Sequence, residues 1–397
     1  MKVMQSRFCY LAIPLGVILG VTATVAGQDS DIEELRREVQ RLSEKIDAKH
    51  DDRMHFHGYG EMHFNFPKTG TMDDRDTNRA DFHRFVLGWG YEFSDTIRFD
   101  SEIDFEHNAS EIELEYALLE FDLLPTLSFR IGSLLMPMGP LNEFHEPPNF
   151  YSVERPYLAR SIIPTTWQEN GLGIAGRALD GDLAYRLYVT AGLDASGFTS
   201  LDGLRGGRSK GVKSKLDDFA FIGRLEYSPP IKKEHGQLSL GTSLYYGQAD
   251  QNTPGLGDVD VLMFEADVRY RIAGFDLKAE IVTVDVNNAD LVSASVGETI
   301  GETMLGWQVE LAYHVFRHIL PDRKDDLVTF IRWENFDTNE DVPAGFARNP
   351  AADREIWTLG AAYYPTPNVV LKADVELWED GTGDRVTRVN FGVGFMF

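Results

Sequence analysis

From residue 54 onward the apolar positions recur every second residue, the period of a strand with one apolar face. In "MHFHGYGEMHFNF", Met54, Phe56, Met62, Phe64 and Phe66 share a face with two glycines, while His55, His57, Tyr59, Glu61, His63 and Asn65 occupy the other. Phe85, Leu87, Trp89, Tyr91 and Phe93 repeat the pattern. In "TIRFDSEIDFE", Ile97, Phe99, Ile103 and Phe105 oppose Arg98, Asp100, Glu102, Asp104 and Glu106. A charge at nearly every second position does not suit the dry core of a sandwich, where each buried ion costs several kcal/mol even after relaxation. It suits a closed sheet with lipid outside and water within.

Continued along the chain, the pattern predicts sixteen strands, near 54–66, 82–93, 96–106, 111–123, 126–135, 169–178, 182–194, 217–228, 236–248, 260–272, 274–286, 303–316, 325–336, 354–364, 368–379 and 385–397. Brief turns at Ser94-Asp95, Leu124-Pro125, Asp180-Gly181, Ala273-Gly274 and Pro365-Thr366-Pro367 alternate with mostly long loops at 67–81, 136–168, 195–216, 249–259, 287–302 and 337–353. An even strand number with short turns on one side and long loops on the other predicts an all-β fold: a sixteen-stranded antiparallel transmembrane β-barrel over residues 54–397. The final "VNFGVGFMF" sets Val389, Phe391, Val393, Phe395 and Phe397 in one apolar row. It is expected to face lipid and to pair with the first strand, so that no sheet edge is left open.

The N-terminal part has a different period. In residues 1–26, Lys2 and Arg7 precede an apolar run ending in small residues, which predicts a secretory signal peptide. A retained anchor helix is the other reading, opposed by the polar "GQDSD" that follows at once. The single cysteine, Cys9, falls inside this segment, so the mature chain is expected to carry no thiol. Within 27–53, Ile32, Leu35, Val39, Leu42 and Ile46 form a short heptad seam, predicting a periplasmic α-helical coiled coil. Self-association, docking at the barrel mouth and packing within one domain all remain open for it. Beyond the N-terminus no apolar run approaches the ~20 residues of a spanning helix, which excludes a helical membrane protein. Loss of Lys2 and Arg7 would move the formal charge from −25 to −27, a surface unsuited to nucleic acid.

One stretch carries sharper motifs: "RIGSLLMPMGPLNEFHEPPNFYSVERPYLARSIIPTTWQENGLGIAG". Arg130 and Gly132, Pro137 and Gly139, Glu154 and Arg155, then Gly171 and Gly173, follow one another in an order that resembles the phosphate-selective porin O and P family of bacterial outer-membrane porins. The resemblance covers the architecture throughout and sharp motifs only in residues 130–176. It implies a sixteen-stranded, trimeric porin whose 136–168 loop folds inward to narrow the pore. The dense arginine ladder and lysine cluster of phosphate selectivity are not evident, so the resemblance does not carry phosphate selectivity with it.

A water-filled pore selects by width and by the sign of its lining charges. The expected lumen lining is Arg84, Arg98, Asp100, Glu102, Asp104, Arg177, Arg186, Arg224, Arg269, Arg332 and Arg388, with Arg271, Lys278 and Lys372 as further inward cations. Inward acids are expected to concentrate in one hairpin, Asp100 to Glu106 and Glu111, Glu113 and Glu115, giving a transverse field. Simple pairing of opposite charges across strands is the plainer reading. The 136–168 loop is too long and too rich in aromatic residues to hang free in water. The expected constriction is therefore Arg130, Glu143, Glu146, Glu154, Arg155 and Arg160. Arg205, Arg208, Lys210, Lys213 and Lys215 form an anion-attracting loop if they dip into the mouth; outside it, they would bridge lipopolysaccharide phosphates or form a solvated tip.

His55, His57, Glu61 and His63 share a face with His83 as a neighbour, a permissive metal spacing that is equally polar lining. The expectation is no metal, no cofactor and no catalytic residue, since no serine or aspartate with a nearby histidine stands out. The reading is a passive porin of the bacterial outer membrane, a homotrimer in contact with lipid and lipopolysaccharide, passing small hydrophilic solutes with a lean to anions such as phosphate or organic acids. A structural or adhesive barrel with a plugged lumen is the alternative.

Overall fold

The computed structural model describes residues 53–69 and 77–397. The expected signal peptide of 1–26 and the coiled coil of 27–53, except Arg53, lie outside the described residues. Sixteen strands follow: β1 (Met54–Thr69), β2 (Arg79–Ser94), β3 (Ile97–Glu106), β4 (Glu111–Leu124), β5 (Leu127–Leu135), β6 (Gln168–Ala178), β7 (Leu183–Ala191), β8 (Phe219–Tyr227), β9 (Gln237–Gln248), β10 (Asp260–Ile272), β11 (Phe275–Val286), β12 (Thr303–His314), β13 (Asp326–Asp341), β14 (Asp353–Thr366), β15 (Val369–Asp380) and β16 (Arg385–Met396). Each pairs antiparallel with its sequence neighbours, and β1 pairs with β16 to close the barrel. Backbone bonds between Gly58 and Phe397, 3.1 and 2.9 Å, tie the last residue onto β1. Closure satisfies every ladder by strand pairing, the condition a sheet must meet in lipid.

The period-two pattern sorts the faces as expected. Phe56, Leu87, Leu244, Phe391 and Val393 are exposed on the outside, where on adjacent strands Trp307 meets Trp333 edge-on and Trp333 stacks on Trp357. Both Trp333 and Trp357 donate their indole N–H to Glu355, an amphipathic cluster of the kind found at a membrane–water interface. Two departures have local causes. β13 runs to Asp341 rather than to 336, because the polar "DTNED" segment continues the ladder to Thr303 of β12 while Thr338 donates to the Ser200 carbonyl (2.6 Å). In β4, Glu102 opposes Tyr116 and Ile103 opposes Leu114, leaving Glu115 as the extra residue of a bulge. The bulge reverses the alternation, so Tyr116, Glu120 and Asp122 follow Glu115 on the lumen side, bonded to Asp100, Arg98 and Arg130.

The loop of residues 136–167, between β5 and β6, folds into the lumen. Met136, Met138, Leu158, Ile162, Ile163 and Trp167 are fully buried against Tyr245, Val261, Met263, Val284, Met304, Phe336 and Trp378 of the wall. Glycines make room for this approach. A Cβ on Gly394 would stand 2.3 Å from the Pro147 Cβ, and one on Gly306 2.4 Å from the Leu158 Cδ1. Those inward positions can hold no larger residue while the loop is docked. The interior on that side is thus packed like a soluble core, not solvated.

Trp167 anchors the docked loop: its ring lies 5.1 Å from that of Tyr245, and its backbone N–H donates to Asn142 Oδ1 (2.9 Å). Trp167→Ala is expected to cost about 3–5 kcal/mol of loop docking. Denaturant titration of intrinsic fluorescence in micelles should show a lower-midpoint transition, and an unchanged midpoint would contradict the docking.

Candidate functional site

A segment inside the barrel must find partners for its own backbone and hydroxyl groups, since buried donors are costly when unpaired. Here the wall supplies them as carboxylates. The Val153 N–H donates to Asp374 (2.6 Å) and the Leu158 N–H to Glu334 (3.0 Å). Tyr157 donates to Glu376 (3.1 Å) and Tyr151 to Asp276 (2.7 Å). Ser152 takes Lys372 on its carbonyl (2.8 Å) and Arg332 on its hydroxyl (2.6 Å). These inward acids on β11, β13 and β15 correct the expectation that acids concentrate in one hairpin. Glu265 on β10, Glu280 on β11 and Glu310 on β12 add to them.

The loop therefore fills the lumen unevenly. Toward β9–β16, Glu265, Arg332, Glu334, Thr358, Glu376 and Asn390 have no measurable exposure. Toward β3–β5, side chains stay open to water: Asp100 is 40% exposed, Arg98 34% and Glu113 30%. Deeper in that sector Glu102, Asp104 and Glu115 are buried. At the waist of the barrel the loop touches the wall. His145 lies 2.5 Å from Glu115 Oε1 and 2.9 Å from the Tyr59 hydroxyl, and Tyr59 donates to Glu115 Oε2 (3.1 Å). The other imidazole nitrogen donates to the Asn142 carbonyl (2.8 Å). Glu61, Arg84 and Asp104 complete this level, with Arg84 3.0 Å from Glu61 and 3.5 Å from Asp104.

Several of the expected lining residues have their charges cancelled locally. Arg84 also meets Glu106 (2.9 Å), Arg98 meets Asp122 (2.5 Å) and Glu120, and Arg186 meets Glu143 (3.1 Å). Arg224 bonds Glu265 and Asp267, Arg269 bonds Asp276, Arg332 bonds Glu334 and Arg388 faces Glu376. Glu102 bonds His57 (3.1 Å), and Asp100 accepts from Tyr116 (3.2 Å). Arg177 is exposed near the β6–β7 turn, bonded to the Gly181 carbonyl, and borders the same cavity as Arg98 and Asp122.

The six expected constriction residues do not form one ring. Arg130 sits low on the wall with Glu120 and the Tyr188 hydroxyl (3.0 Å). Glu143 is taken by Arg186, and Glu146 accepts from Asn149 (2.6 Å) beneath the loop. Glu154 is held on β1 by His63 (3.2 Å) and Asn65 (3.0 Å). Arg155 stands at the waist, in the field of Arg84, Glu61, Tyr59 and Glu115. Arg160 lies above it, beside Arg205 and Arg208.

The basic loop is also corrected as a unit. Lys210 is neutralised by Glu113 (2.6 Å) and Lys215 by Asp194 (2.8 Å), while Lys213 is exposed. Arg205 and Arg208 are instead fastened to the inward loop, donating to the carbonyls of Thr165 and of Pro164 and Thr166. Burial first, and then repulsion from Arg208 and Arg160, pushes the Arg205 guanidinium well below its ordinary range. Burial and Arg84 also lower the pKa of Arg155, whose Nη2 is buried without a hydrogen-bond partner. Among the described residues, Arg155 and Arg160 have no ion-pair partner, whereas Arg84, Arg98, Arg224 and Arg332 of the wall do. Glu106 and Glu113 act on Arg208, and Glu115 and Asp104 on Arg155. Sequence reasoning missed Tyr59, His145 and the post-bulge acids, because a contact between a loop and a strand leaves no periodic signal.

A closed sixteen-stranded barrel narrowed by an inward loop is the architecture of outer-membrane porins. Solved structures agree on the fold. The chain is similar to the outer membrane channel DcaP of Acinetobacter baumannii (12% identity, TM-score 0.57, 87% of this chain and 97% of that one). It is similar to OprB of Pseudomonas putida (12%, 0.58, 87% and 95%) and to Salmonella typhi OmpF (10%, 0.54, 87% and 97%). No family model matches the chain. By sequence it belongs to the family of an uncharacterized protein of Aquifex aeolicus (strain VF5), to which it is 34% identical over 337 residues, 80% of this chain and 74% of that protein.

His145 is where the loop meets the β1–β4 wall. His145→Ala is expected to raise single-channel conductance in planar bilayers and to add open-channel noise, by releasing the loop from Glu115 and Tyr59. Traces indistinguishable from the unmodified protein would remove this contact from the conducting path.

Proposed function

We propose that the protein is a passive diffusion porin of the bacterial outer membrane, passing small hydrophilic solutes with a lean to anions such as phosphate or organic acids. One observation carries the anion lean: Arg84, Arg98, Arg186, Arg224, Arg269 and Arg332 on the wall are paired with carboxylates, while Arg155 and Arg160 on the inward loop are not. With Arg205 and Arg208 they form a cationic cluster facing the acids of β3 and β4. A transverse field of this kind orients a dipolar or anionic solute in a narrow, poorly screened passage. The likeness of residues 130–176 to the phosphate-selective porin O and P family supports the loop's role and leaves the solute open. The porin is read as a homotrimer in contact with lipid and lipopolysaccharide, with the 27–53 coiled coil in the periplasm after removal of residues 1–26.

A plugged, structural barrel is the second reading, favoured by the dry packing of the loop against β9–β16. Purified, folded protein that carries no ion current would establish it. For the porin, reversal potentials under a salt gradient should indicate anion preference, and Arg155→Ala with Arg160→Ala should shift them toward cations. A shift toward anions, or none, would defeat the lean and leave the channel standing. Deleting residues 30–48 should lower the temperature at which oligomers dissociate in mild detergent; an unaltered oligomer would make the segment a spacer.

A further inference from the structure

Histidines gather on one side of this lumen. His63, His83 and His107 lie together at the extracellular end of β1, β2 and the β3–β4 turn, with Asp81 among them. The Asp81 Oδ2 is 3.4 Å from His83 Nδ1 and 2.6 Å from His107 Nδ1, and the three donor atoms lie within 4.8 Å of one another. A tetrahedral ion with bonds of about 2.0–2.1 Å separates its ligands by about 3.3 Å, so small side-chain rotations would seat one. The geometry points to a binding site for a borderline divalent transition ion of the Zn2+ class, held by Asp81, His83 and His107 at the pore mouth.

The surroundings support the three donors. His107 sits in a turn whose backbone is pinned to β2: its N–H donates to the His83 carbonyl (3.0 Å), and that of Asn108 to the Phe82 carbonyl (3.2 Å). The His83 ring stacks on His63 (4.7 Å, 16°), which fixes its plane. His63 is itself spent on Glu61 and Glu154, 3.2 Å each, so it orients and does not ligate. Arg84 comes within 3.4 Å of His83 Nε2, but its charge is met by Glu61, Asp104 and Glu106. Asp81, His83 and His107 are 20, 26 and 43% exposed, so an ion can enter from the mouth. Two imidazoles with one carboxylate prefer zinc-like ions to calcium or magnesium, and three ligands leave a position for water or a solute's anionic group. His55, His57 and Asp100 offer a weaker set at the periplasmic end, because His57 is already bonded to Glu102.

The test is Zn2+ binding by the full chain in detergent, measured by competition with a chromophoric chelator, so that it does not depend on conduction. The unmodified protein should bind Zn2+ and retain it in excess Ca2+. H83Q with H107Q should weaken binding at least about tenfold, a loss that even removal of an outer-shell partner brings. H107Q alone, on an exposed turn, should weaken it too and guards against a folding defect in the double variant. No Zn2+ binding, displacement by Ca2+, or affinity and stoichiometry unchanged in both variants would overturn the site. None of these outcomes bears on the porin reading.

Discussion

The need to pair every backbone donor away from bulk water governs this molecule twice. In the sheet it forces closure, with β16 returning to β1 so that no edge meets lipid. In the lumen it governs the 136–167 loop, which leaves the ladder and must find other acceptors. Asp374 and Glu334 meet that need for the Val153 and Leu158 N–H groups, and Glu376 and Asp276 do the same for the Tyr157 and Tyr151 hydroxyls. Loss of one such acceptor would strand a buried donor, so these acids act as mounts for the loop before they act as pore charges.

The same constraint sets the electrostatics. Acids recruited to hold the loop bring cations with them, because an unpaired buried charge is worse than a paired one. Arg332 and Arg269 are therefore paired with the loop-holding Glu334 and Asp276. Arg155 and Arg160 on the loop are left without ion pairs, near Glu115 and Asp104 and near Arg205 and Arg208.

Legibility from sequence follows the range of each interaction. Strand number, the lipid-facing row and the inward loop were readable, because period-two alternation and an aromatic-rich insertion are local signals. Arg155 and Arg160 were readable as cations of that inward loop for the same reason. Glu120 and Asp122 were not, because the Glu115 bulge reverses the alternation after it is read. Lys210 and Lys215 read as free cations and are neutralised by Glu113 and Asp194, which are far away or loop-borne.

Sequence alone, then, determined that this chain rolls into a sixteen-stranded cylinder with an apolar outside, since side-chain alternation is a property of each strand by itself. Only the tertiary structure decided which side of the lumen the loop packs against, which arginines lack an ion-pair partner and where His145 meets Glu115. Those outcomes depend on distances between segments far apart in the chain, and residue order does not encode such distances until the barrel has closed around the loop.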